Sequence, residues 1–188
     1  MKKKHIIWIV VAIVVLIPII LVSQYIGWKN HLVDLDEGVN TAWAQVESQL
    51  QRRLDLIPNL VATVKGYAAH EDKVLNDVTR ARASVAGASS TAEKIDANNE
   101  LTSALSRLLV VVENYPNLKA NQNFLALQDE LAGTENRISV ARQRYNEAAR
   151  VFNATRRKFP YSLVASDYKE AAYFEAAAGA KVAPQVQF

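Results

Sequence analysis

Residues 121–158 read NQNFLALQDELAGTENRISVARQRYNEAARVFNATRRK. Phe124, Leu131, Ile138, Tyr145 and Phe152 fall seven apart without a slip. Leu127, Thr134, Ala141 and Ala148 form a second row, three residues behind the first four. Apolar a and d positions held over four heptads predict one long helix with its seam against other helices. Asp129, Glu130, Glu135, Arg142, Arg144 and Glu147 lie mostly off that seam. At about 1.5 Å per residue the stretch would be about 57 Å long. Only Gly133 weakens it, by about 1 kcal/mol relative to Ala. Two readings compete for the seam: the core of this chain's own bundle, or a surface for self-association through the small residues of the d row.

The chain has 188 residues, enough for one domain and an anchor. Its pI near 9.1 suggests a basic protein. Lys2, Lys3 and Lys4 account for the whole excess, because without them nineteen basic residues face nineteen acidic ones. A nucleic-acid binder needs a basic stripe on its folded domain. None is visible, and nucleic acid is excluded as a partner. With no Cys there is no disulfide framework and no thiolate chemistry.

Ile6–Val22 carries no charge and no polar side chain apart from the Trp8 indole, and continuing to Ile26 adds only Ser23, Gln24, Tyr25 and Ile26, still without a charge. That length matches the roughly 17–25 residues that cross a bilayer. Pro18 is tolerable inside such a helix. Trp8 at one end, with Tyr25 and Trp28 at the other, suits the headgroup level. No Ala-x-Ala-like site follows, so the segment reads as an uncleaved anchor rather than a signal peptide. Three Lys precede it, while Lys29 and His31 are the only basic side chains soon after. The positive-inside rule then puts the N-terminus in the cytoplasm and the domain outside.

Beyond the anchor, Val39, Trp43, Val46, Leu50, Leu54 and Ile57 form one helical face. Pro58 should kink or break that helix, because it leaves the Leu54 carbonyl without a donor. The face resumes with Val61, Val64, Ala68, Val74 or Leu75, Val78 and Val85, which predicts a kinked helix or two nearly collinear ones over 32–86. Ser90, three before Glu93, is a capping-box signature. Ile95, Leu101, Leu105, Leu108 and Val112 carry the next apolar face. Tyr115-Pro116-Asn117 turns the chain into the heptad helix, which Pro160 stops. A short helix over about Ser166–Ala178, ending near Gly179, and an extended tail Val182–Phe188 complete the chain.

Chemistry-bearing clusters fail one after another. His70-Glu71 begins like a zinc-protease motif, but residue 74 is Val where the second His is required. A di-metal carboxylate site needs Glu-x-x-His, and Tyr67 stands where the Glu would be. The glycines are scattered, so no phosphate-cradling loop is present. What stands out is Trp43–Glu71. It sets Glu47, Gln49, Gln51, Arg52, Arg53, Asp55, Asn59 and Lys65 around Pro58. These residues read either as an exposed face that also bonds the backbone freed at the proline, or as a docking surface for a partner.

Residues 43–71, WAQVESQLQRRLDLIPNLVATVKGYAAHE, closely resemble the hallmark block of the LemA family. Residues 127–146, LQDELAGTENRISVARQRYN, and the ending APQVQF at 183–188 are similar to it too. The resemblance covers the chain from Asn30 onward, together with the anchor. It implies a bacterial, membrane-anchored, all-helical protein with no established catalytic residues. Family membership of a magnetosome-membrane protein implies a part in membrane organisation, and family neighbours that are membrane zinc proteases imply an accessory role. Family descriptions often place the short N-terminus outside. The three lysines imply the opposite, and they are followed here.

The expectation is therefore an all-α chain. Residues 1–28 form the basic N-terminus and single transmembrane anchor. Residues 29–160 form an elongated antiparallel bundle of about four long helices, and 161–188 a short helix and tail. No catalytic, cofactor-binding or metal-binding residue is expected. The function expected is a non-catalytic scaffold of the cytoplasmic membrane, with the lipid bilayer and further copies of itself as partners. The alternative is an adaptor for another envelope membrane protein, such as a protease or a sensor.

Overall fold

A computed structural model describes residues 2–68 and 70–174. Among them are five α-helices, one 3-10 turn and no strand. Helix α1 spans Lys2–Lys65, α2 Asp72–Gly87, α3 Thr91–Val112, α4 Pro116–Lys119 and α5 Gln122–Arg157; the 3-10 turn is Tyr161–Leu163. The all-α expectation holds, and α5 coincides with the heptad stretch. The anchor and the first bundle helix are one continuous helix, which runs past residue 28 without a break. No helix forms at 166–174, the described part of the short helix expected there. Its remainder, the small-residue run 176–180 and the tail 182–188 lie outside the described residues.

The chain divides into two compact units. The first comprises Met1–Thr41 and Glu147–Ala171. Here Leu32, Val164 and Ala165 are buried together, with Trp28, Tyr161 and Tyr168 packed against them. The Tyr161 ring lies 5.3 Å from that of His31, and Phe152 meets Tyr168 edge-on at 6.0 Å. Asn153 is fully buried and uses its amide twice. It donates to the Ala171 carbonyl at 2.9 Å and accepts from the Ala171 N–H at 3.0 Å. Arg156 donates to the Tyr168 carbonyl at 2.7 Å. These bonds tie an irregular segment to α5 side chains, satisfying backbone groups that a helix would have satisfied internally.

The second unit comprises Ala42–Asn146 and Ala172–Phe188. Its core is one cluster that includes Leu54, Ile57, Leu60, Val64, Leu75, Val78, Leu101, Leu108, Leu118 and Phe124. Every apolar position predicted for α2 and α3 from their spacing is buried except Val74, the alternative to Leu75, which is half-buried against the core. The a row of α5 is buried at Phe124, Ile138, Tyr145 and Phe152, and half-buried at Leu131. Thr134 and Ala141 of the d row are buried in the chain's own core. Ala148 is less covered than Ala149. A straight helix drifts about 20° per heptad from a strict 3.5 repeat, which moves the seam by one residue toward its end.

Pro58 does not end the helix, which continues to Lys65. The chain turns at Gly66–Glu71 and α2 packs back against Leu54–Val64 of α1, so the kinked or nearly collinear helix expected over 32–86 does not form. The helix passes Pro58 because of a distant residue. Arg82 of α2 donates its Nε–H to the Leu54 carbonyl at 2.9 Å, the carbonyl that the missing Pro58 N–H leaves free. An Arg82→Met variant should therefore lose about 1–3 kcal/mol, the cost of an unsatisfied buried acceptor. In a Pro58→Ala background, residue 58 regains its N–H and the same change should cost much less. Urea unfolding of the four proteins of this cycle measures the coupling. Equal losses in both backgrounds would mean that the carbonyl is not what Arg82 serves.

The capping box at α3 is present as expected. The Ser90 hydroxyl accepts from the Glu93 N–H at 3.2 Å, and the Glu93 carboxylate accepts from Ser90 and Ser89 N–H and from the Ser89 hydroxyl. Those bonds, led by the one from the Ser89 backbone, hold the Glu93 carboxyl below its ordinary pKa. A depressed carboxylate adds stability above its unfolded pKa and loses it as pH falls through the folded value. Ser90→Ala should cost about 1 kcal/mol at neutral pH. The stability that the Glu93 carboxylate itself adds should fall away in an acid titration as it protonates, and Glu93→Gln should remove that dependence.

Candidate functional site: a buried ionic cluster

On the polar face around Pro58, Arg53 is buried, Glu47 and Gln49 are half-buried, and Gln51, Arg52, Asp55, Asn59 and Lys65 stay exposed. Glu47 pairs with Lys94 of α3. Gln49 accepts from Arg137 of α5 at 3.2 Å, and Arg52 pairs with Glu130 of α5 at 3.0 Å. Gln51 bonds Asp55 along α1 itself, and Lys65 stays exposed. Four of the eight residues therefore tie α1 to α3 and α5, and the bundle reading accounts for them better than an open docking face does.

At the centre is Arg53, only 4% exposed. Its Nη1 donates to the Asn98 side-chain oxygen at 3.2 Å and to the Thr102 hydroxyl at 3.1 Å. The Glu135 Oε2 lies 2.7 Å from the same nitrogen. That oxygen accepts no hydrogen bond, because both Nη1 hydrogens point elsewhere, so the contact is one of charge with charge. Burial pushes the Arg53 guanidinium below its usual pKa, Glu135 opposes this, and Arg142 adds to the lowering. Arg142 is half-buried as well, with its guanidinium carbon 4.7 Å above the Phe174 ring. Burial lowers its pKa and Glu135 again opposes. Its placement corrects the expectation that Arg142 sits off the seam.

Phe174 completes an aromatic group with Trp43 and Tyr145, with ring centroids 5.3–5.9 Å apart. Asn146 fixes it by the device that Asn153 uses on Ala171: its amide donates to the Phe174 carbonyl at 3.0 Å and accepts from the Phe174 N–H at 2.9 Å. The Tyr145 hydroxyl donates to the Ala172 carbonyl at 2.8 Å, and burial raises its pKa. Two guanidiniums, one carboxylate and three aromatic rings thus meet inside a helical core. This arrangement holds helices in register. It contains no paired nucleophile and base. His70 is exposed, and Glu71 accepts from the Tyr115 hydroxyl at 2.9 Å. No three His, Asp or Glu side chains come together among the described residues.

Asn98 was missed in the sequence, and Glu135 was read only as a charge off the seam. Asn98 was findable, because it lies three residues from both Ile95 and Leu101 on an apolar face and so needs a polar partner. Glu135 follows the small seam residue Thr134 and carries no local signal.

These features define a class: an all-helical bundle, cross-tied by ion pairs, whose first helix begins with a stretch apolar enough to cross a membrane. The LemA family profile matches residues 42–188, and the chain belongs to that family. Magnetosome protein MamQ 2 of Paramagnetospirillum magneticum AMB-1 is 26% identical over 174 residues, covering 78% of this chain and 64% of that protein. This chain thus spans less than two thirds of that relative's length. Protein LemA of Metamycoplasma hominis is 24% identical, covering 81% of this chain and 71% of its own length. MamQ of Magnetospirillum gryphiswaldense is also 24% identical, over 88% of this chain.

Proposed function

We propose that this chain is a non-catalytic scaffold held in the bacterial cytoplasmic membrane by one span, with its N-terminus inside and its helical domain outside. The observation that carries this reading is the apolar run of α1. Its best window has a mean hydropathy of 2.8 and none of it is buried by the other described residues. Twenty residues over 7–26 measure about 30 Å as a helix, the thickness of a bilayer's hydrocarbon core. The same helix continues beyond the apolar run to Lys65. Similarity to magnetosome proteins supports a part in organising membranes.

Self-association belongs to this reading, but not through the heptad seam, whose residues are used internally. The exposed apolar residues Leu109 and Val110 of α3, with Leu125 and Val140 of α5, are among the surfaces open to it. Crosslinking in native membranes, followed by mass measurement of the solubilised particle, tests the scaffold. A uniform oligomer is expected, and a monomer at both steps would overturn it. The second reading is an adaptor. It is favoured by a groove of about 430 Å³ between α2 and α3, lined by charges of both signs at Asp77, Arg80, Glu100 and Arg107. A monomer that enriches one envelope protein would select it. Orientation has its own check. A phosphatase fused after Phe188 should be active and a fluorescent protein there dark, and the reverse would put the domain in the cytoplasm.

A further inference from the structure

The turn that ends α5 carries apolar side chains that nothing among the described residues covers: Phe159 is 80% exposed and Leu163 66%. Between them Tyr161 packs, as Trp28 does, against the cluster of Leu32, Val164 and Ala165, and its ring lies 5.3 Å from that of His31. The turn therefore sits beside residues 28–32, which follow the apolar run by two to six positions. Along a helix that is about 3–9 Å past Ile26. The headgroup layer on each side of a bilayer is about 5–8 Å deep, which places the turn within it. Two exposed basic residues, Arg157 and Lys158, precede it. The other positive charges nearby are already matched, Lys29 with Asp167 at 3.6 Å and Arg156 with Glu170 at 3.5 Å. Arg157 and Lys158 make no ion pair among the described residues. The nearest carboxylate further along α1, Asp34, is about 12 Å beyond Ile26.

We infer that residues 157–163 form a second membrane contact, a foot in which Phe159 and Leu163 enter the headgroup boundary while Arg157 and Lys158 bind the phosphates of anionic lipids. The inference rests on the reading of α1 as a membrane span. Apolar side chains beside a basic pair are the composition of interfacial anchors, where apolar burial and attraction to anionic lipid add together. The foot fixes how the first unit meets the bilayer, which a single span through one helix leaves free to rotate.

The chain has no cysteine, so a single introduced one carries a label cleanly. The full-length protein, with a nitroxide at Phe159→Cys, Leu163→Cys, Val14→Cys or Val110→Cys, is placed in nanodiscs of mixed phosphatidylglycerol and phosphatidylcholine. Relaxation by oxygen is then compared with relaxation by a water-soluble nickel chelate. Oxygen should dominate at 159 and 163, more strongly at 14, and the chelate should dominate at 110. Changing Arg157 and Lys158 to Gln should lower the ratio of inserted to free foot by roughly fivefold per charge. In pure phosphatidylcholine that loss should vanish. Labels at 159 and 163 as wet as the one at 110, with 14 deep, overturn the foot and leave the span standing. A wet label at 14 removes the span and the foot with it. An inserted foot indifferent to lipid charge overturns the role of the two basic residues.

Discussion

Glu135→Ala is expected to destabilise the folded protein by about 3 kcal/mol, the lower end of the range for breaking a buried ion pair. The size follows from an asymmetry of burial. The Arg53 side chain is 5% exposed and Glu135 39%. Removing Glu135 leaves a guanidinium without its counter-charge, away from water, with Arg142 still repelling it. Removing Arg53 leaves a carboxylate that water already reaches. Arg53→Met should therefore lose less, about 1–2 kcal/mol, mostly from the acceptors at Asn98 and Thr102 that it abandons. Urea unfolding of the full chain in mild detergent, followed by circular dichroism, ranks the two. If Arg53→Met proves the more damaging, the carboxylate is not what compensates Arg53.

Truncation of the α5 seam is expected to be at least as severe. Phe124→Ala should cost about 3–5 kcal/mol and Ile138→Ala about 2–5 kcal/mol, the ranges for buried side chains that leave a cavity. Phe124 is 1% exposed and Ile138 is fully buried. Leu131 has the same heptad position but is only half-buried. Its change to Ala removes less area from an apolar environment and should cost about 1–2 kcal/mol. Gln122→Ala, exposed at the start of α5, should stay within about 0.5 kcal/mol. The same unfolding assay applies, and a cost at Leu131 equal to that at Ile138 would contradict the packing described for α5.

The sequence made the helices legible because their apolar periods were clean and their punctuation was chemical. The Ser90–Glu93 box, Pro116 at the start of α4 and the unbroken heptads of α5 all behave as local rules require. Pro58 shows where local rules stop. Its penalty was read correctly, but the donor that answers it, Arg82, lies 28 residues away. The short helix expected after Ser166 failed for a related reason. Local composition favoured it, yet buried Asn153 and Arg156 bind the backbone of 168–171 in an irregular form. The polar stretch 43–71 was visible as unusual, but its partners on α3 and α5 were not. Those partners draw Glu47, Gln49, Arg52 and Arg53 into ties within the bundle. The basic pair Arg157–Lys158 is invisible to a flank count as well, since it reaches the anchor only through the fold.

The central claim is that the apolar run of α1 holds this protein in the membrane. Carbonate extraction of membranes, comparing the natural chain with a Val14→Arg, Ile17→Arg double variant, tests it most directly. Each central Arg costs roughly 2.5–3.5 kcal/mol of insertion free energy. The natural chain should stay in the pellet and the double variant should move largely to the supernatant. Release of the natural chain, or equal retention of both, would contradict the account.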